Sequence, residues 1–154
     1  MPKFAENTSV AAERSRAEIE RILARYGATG FMYGWSAEHA TVAFDMNARR
    51  VMFRLPMPAS DDREFTHTPS RGTRRSAAQI EAAYDQAVRQ RWRALALVIK
   101  AKLEAVESGI TLFEEEFLAH IVLPNGQTVG HWMLPQVEQA YSRGTMPPLL
   151  PAPK

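Results

Sequence analysis

Apolar side chains recur with two different periods along the chain. Over residues 9–26, Ile19, Ile22, Leu23 and Tyr26 recur at helical spacing, with Ser9 placed to cap the first turn and Gly27 placed to end the last. The period then drops to two. Phe31, Tyr33 and Trp35 share one face of a first strand, Val42, Phe44 and Met46 of a second, and Val51, Phe53 and Leu55 of a third. The connections, 36–39 and 47–49, are short enough for hairpins, so the pattern predicts a three-stranded antiparallel meander. One face of it is apolar; the other carries Asp45, Arg50 and Arg54.

Residues 56–75 hold three prolines, one glycine and many polar side chains, which predicts a long connection without regular structure. Ser76 to Gln79 matches a capping box, and a helix is expected from Ala77 to Ser108 with Gly109 after it. Such a helix is roughly 48 Å long, longer than one small sheet can cover. At 100° per residue, Ile80, Tyr84, Val88, Trp92, Leu95, Ile99, Leu103 and Val106 form one broad stripe. Arg89, Arg93 and Lys100 fall on the opposite side, and Arg91 and Lys102 flank the stripe. Beyond it, residues 110–118 read as a short acidic helix or turn. Residues 120–123 and 128–130 read as a second hairpin around Pro124 to Gln127, and 134–142 as a short helix with Pro135 near its start. The expected class is α+β: a single domain over residues 1–146 and an extended proline-rich tail over 147–154.

The chain has 154 residues, 45% of them hydrophobic and 23% charged, a composition that excludes a disordered or fibrous protein. It has no cysteine, which excludes disulfides, thiolate catalysis, iron–sulfur clusters and cysteine zinc sites. No run reaches the ~18 apolar residues of a membrane span, and the first residues lack the apolar core of a secretory signal. A soluble, cytoplasmic protein is expected.

Charge changes the picture more. The net +2 conceals a centre, residues 63–102, with nine basic and three acidic side chains, and seven of those nine are arginine. Residues 1–62 balance, and residues 103–154 carry a net −4. Arginine suits phosphate because its planar fork bonds in pairs. Two basic elements adjoin: the acid-free stretch 71–75 and the line on the long helix. Together Arg71, Arg74, Arg75, Arg89, Arg93 and Lys100 are the candidate nucleic-acid-binding residues, acting through backbone phosphates. The alternative reading of the same charges is a solvated helix face.

A search for catalytic patterns is negative. There is no phosphate-binding lysine loop, no dinucleotide-binding glycine pattern and no nucleophile elbow. Thr66-His67-Thr68 does not make even one His-x-Thr triplet, since Pro69 stands where the threonine would, and phosphoesterases of that type need two. Glu114, Glu115, Glu116, His120 and His131 are the best metal candidates, set against an acidic turn and a hairpin histidine. Phe31, Tyr33 and Trp35 could stack bases, as could Trp92 among its arginines, but each also lies on an apolar face where core packing is expected. No cofactor and no catalytic residue are expected.

The stretches from Tyr26 to Trp35, from Arg91 to Glu107 and from Phe113 to Gly126 resemble uncharacterised small proteins encoded by bacteriophages and prophages, over residues 15–150. That resemblance implies a mobile-element context and a host cytoplasm. The order of helix, three antiparallel strands and long helix is similar to the core of phage single-strand annealing proteins. Those proteins form rings or filaments and hold single-stranded DNA in a basic groove, a likeness of topology. The expected function is non-enzymatic binding or annealing of single-stranded DNA by a homo-oligomer. The alternative is a phage-encoded module that inhibits or adapts a host protein.

Overall fold

In the computed structural model, residues 3–146 are described, with side chains from Ala12 onward. The architecture is α+β, in the order α1 (Lys3–Arg25), β1 (Gly30–Trp35), β2 (His39–Met46), β3 (Arg49–Pro56), α2 (Arg63–Thr66), α3 (Ala77–Glu107), α4 (Phe113–Glu116), a 3-10 turn (Leu118–His120) and α5 (Val129–Arg143). The expected proline-rich tail over 147–154 lies outside the described residues.

The meander forms in the expected register. Phe31 pairs with Phe44, Tyr33 with Val42, Phe44 with Val51 and Val42 with Phe53, so the period-two apolar positions share one face. The turn between β2 and β3 places Asn47 and Ala48 at φ of 52° and 58°, the left-handed geometry that matches the strands' twist. Asparagine tolerates that region; alanine is strained there. On the other face Arg50 grips Asp45 through two hydrogen bonds of 2.8 and 3.1 Å.

The long helix begins as its capping box requires. Ser76 Oγ accepts from the Gln79 N–H, and Gln79 Oε1 accepts from the Ser76 N–H. Its stripe of Tyr84, Val88, Trp92, Leu95, Ala96, Ile99 and Leu103 is buried, and Trp92 is fully enclosed. One sheet does not cover it alone. The first helix lies along α3 and buries Ala12, Ile19 and Leu23 in the same core. The Tyr26 hydroxyl donates to Glu104 where the two helices end. Phe117 plugs the far side, edge-on to both Phe44 and Phe53.

Several boundaries depart from expectation. The first helix starts at Lys3 and runs through Ser9, so Ser9 is an interior residue and no cap. Trp35 leaves the core, 45% exposed, because it pairs with Ala40 at the open end of the edge strand. The 56–75 connection contains α2, and a bridge between His67 and Arg74 orders the rest. Its anchor is Phe65, buried edge-on to Tyr84.

The second hairpin does not become a ladder: a single bridge joins Val122 to Thr128. Ile121, whose carbonyl accepts from the Val129 N–H at 2.9 Å across that hairpin, also reaches the free edge of β3 and bridges Val51, where the Val122 N–H donates to the Arg50 carbonyl at 2.8 Å. An edge strand's unpaired groups attract such a segment.

The last helix starts at Val129 instead of Leu134, because Thr128 is its N-cap: Thr128 Oγ1 accepts from the His131 N–H. Pro135 therefore lies inside the helix with its ring exposed, and has no N–H to offer the His131 carbonyl. Gly130 is required here. A Cβ at that position would stand 2.9 Å from the Ala119 carbonyl oxygen, the contact that seats α5 on the 3-10 turn.

Two substitutions probe this packing. Phe44→Ala should lower stability by ~3–5 kcal/mol by opening a cavity, read as a fall in the denaturant midpoint; an unchanged midpoint would contradict the register. Ala48→Gly should raise stability by ~0.5–1 kcal/mol by removing the left-handed strain, and a lowered midpoint would contradict the turn geometry.

Candidate nucleic-acid interface

The basic residues divide by what they touch. Arg49 pairs with Glu114 at 3.2 Å, and Arg50 with Asp45. Lys102 reaches both the side chain and the carbonyl of Glu116. Arg91 donates to the Pro56 carbonyl at 3.2 Å, tying α3 to the end of β3. These four brace the fold. Arg71, Arg74, Arg89, Arg93 and Lys100 are exposed and make no ion pair among the described residues. Arg89 does have one acidic neighbour, Asp85, whose carboxyl is pushed up by burial and pulled back by that guanidinium.

Arg75 belongs to both groups. It is half-buried, and its guanidinium donates to the Glu64 and Phe65 carbonyls at 3.4 Å, bracing the loop onto α2.

The 71–75 loop, expected as part of a connection without regular structure, is built tightly. The Thr68 N–H donates to the Thr73 carbonyl at 2.8 Å, the Gly72 N–H to the Thr68 carbonyl at 3.0 Å, and the Arg75 N–H to the Thr66 carbonyl at 2.7 Å. Gly72 sits at φ 64°, which closes the turn. The effect is to present Arg71 and Arg74 at the foot of α3, immediately before its capping box.

Sequence spacing alone misses two members of this cluster. Arg63, the first residue of α2, brings its guanidinium within 3.4 Å of the space beside Gly72. His67 lies between Arg63 and Arg74, and its imidazole is held below the ordinary histidine range by partial burial and then by those two cations. Its Nδ1 is 2.8 Å from the Thr66 hydroxyl. Three cationic or cation-capable groups thus face one another, an arrangement an anion would relieve. The only sequence signal was Arg63 itself, within the basic centre but across the expected loop from Arg74.

The metal candidates are not brought together. Glu114 pairs with Arg49, and Glu116 with Lys102 and the Thr111 hydroxyl. His120 stacks on Phe53 with ring centroids 4.1 Å apart. Among the described residues no group of three or more histidine and acidic side chains could hold a metal ion. Of the aromatic candidates, Trp92 is fully buried against Tyr33, Phe31 and Tyr33 pack half-buried against the core with Arg16 4.4 Å over the Tyr33 ring, and Trp35 is exposed. No described helix is long and apolar enough to cross a membrane. Comparisons with family models, curated proteins and solved structures return no match.

His67 offers a direct check. Its folded-state value lies below its unfolded one, so the stability from its neutral form is present above the unfolded value and is lost as pH falls through the folded one. An NMR titration should find it below the ordinary histidine range, and Arg63→Gln with Arg74→Gln should raise it. An unperturbed titration in the native chain would dissolve the cluster.

Proposed function

We propose that the protein binds single-stranded nucleic acid through its backbone phosphates, without catalysis, using Arg71, Arg74, Arg75, Arg89, Arg93 and Lys100, with Arg63 joining them. The observation that carries this is the division of cations. Within the basic centre Arg91 and Lys102 are tied to carbonyls or an acid, whereas Arg71, Arg74, Arg89, Arg93 and Lys100 are exposed, without an ion pair among the described residues, on one loop and one helical line. Cations not needed for packing are available for phosphates, and contacts of this kind carry little base specificity. The likeness in element order to phage annealing proteins fits this reading, as does a phage or prophage origin in a host cytoplasm.

The affinity should fall steeply with salt, with a log–log slope of ~0.7 per phosphate contact for single strands. Arg89→Glu with Arg93→Glu should weaken binding alike for all sequences and flatten that slope, with the fold intact. Absence of binding by the wild type even at low salt would leave the basic line as a solvated face.

One observation favours a second reading, a surface for protein partners. The last helix buries no residue of its own and exposes Trp132, Leu134, Val137 and Tyr141. Surplus apolar surface of this kind favours association, with a second copy of the chain or with a host protein. Light scattering should give an oligomeric mass without added ligand, and Trp132→Ser with Tyr141→Ser should lower it. A monomeric mass at tens of micromolar, together with capture of a host protein, would move the partner reading to first place.

A further inference from the structure

Across the sheet from α3, the period-two alternation of β3 turns Met52 and Arg54 outward, away from the core positions Val51 and Phe53. Beside them is a cavity of about 370 Å³, closed by the 3-10 turn and by the loop and first turn of α5. Its polar lining is Arg54, His120, Gln127, Thr128 and His131. None of these is acidic. The volume is that of a small-molecule site.

What these groups do within the fold limits what they can offer a ligand. Arg54 makes no ion pair or hydrogen bond among the described residues. Gln127 uses its side-chain oxygen to accept from the Asn125 amide at 3.2 Å, which leaves its own N–H groups to donate. Thr128 uses its hydroxyl oxygen to accept from the His131 N–H, which leaves its O–H. The positive end of α5, a helix of 15 residues, opens at the same place. The cavity therefore presents donors from two sides, the sheet and the helix, and its lining carries no acidic side chain. A divalent cation is disfavoured by the guanidinium and the missing carboxylates.

We propose that this cavity binds a phosphate monoester, with Arg54 forking two of its terminal oxygens and donors from Gln127, Thr128 and His131 gathered on the third. A tetrahedral anion with three terminal oxygens can meet donors on two sides at once; a planar carboxylate would be met by the fork alone. The volume beyond the phosphate and the Met52 wall receive the ester group. His120, fixed by its stack on Phe53, bounds the floor. Because none of the residues of the proposed nucleic-acid track lines the cavity, the two are separate sites.

The test is an NMR titration of the full chain, following the His120 and His131 ring protons, with inorganic phosphate, phenyl phosphate and benzoate as probes. The proposal expects saturable shifts with both phosphates, tighter for phenyl phosphate. Arg54→Gln should weaken them ~tenfold, the equivalent of about 1.4 kcal/mol. Both histidines keep their signals in that variant, and a second variant, His131→Ala, can be followed through His120. Arg93→Glu should leave the titration unchanged. Inorganic phosphate binding as tightly as phenyl phosphate would overturn the ester and leave a free-anion site. Benzoate binding as well as phenyl phosphate, no saturable shift, or full binding by Arg54→Gln would overturn the proposal.

Discussion

A helix of 31 residues that buries one stripe along its length must leave the rest of its circumference elsewhere, and that constraint organises this protein. The stripe from Tyr84 to Leu103 is too long for three short strands, so the first helix lies beside it and completes the cover. Burial is the dominant driving force, and Trp92 and Phe44 are among the largest fully enclosed side chains. Once α3 is held by that stripe, Arg89, Arg93 and Lys100 have no choice of direction. Their exposure is a consequence of packing, and so is their spacing along a rigid rod.

The same constraint explains why the loop before α3 is ordered. Phe65 must reach Tyr84, which pulls α2 against the start of the long helix. Arg75 then holds the carbonyls of Glu64 and Phe65, and His67 bridges Arg74. The cations at this end are consequently fixed relative to the helix line. A polyanion crossing both would meet a preformed surface and forfeit less entropy than with a flexible arm.

Much of this was legible in the sequence, and the reasons differ by element. The meander and its register could be read because one face is buried, so a slip by one residue would expose every apolar side chain. The capping box of α3 is a local signal, complete within the four residues Ser76 to Gln79. The start of α5 was misplaced because Pro135 invites a reading at the first turn, while the operative signal was Thr128. The second hairpin is cut to the Val122–Thr128 bridge because Val129 already begins α5, and Ile121 also bridges Val51, a contact between segments seventy residues apart that no local pattern contains. In the candidate site, the exposed arginines followed from helical spacing. The convergence of Arg63, His67 and Arg74 depended on a loop closure that spacing does not encode. The Arg54 cavity depended likewise on where the C-terminal segment docks.

The central claim is that the exposed cations of the loop and of α3 form one continuous track for phosphates. The most direct measurement is the map of backbone amide shifts when a short oligothymidylate is added to the isotopically labelled protein. The account predicts that amides of residues 71–75 and those around Arg89, Arg93 and Lys100 move together along a single binding curve, while the outward face of the sheet and α5 stay still. Shifts confined to α5, or loop and helix responding with different affinities, would contradict it.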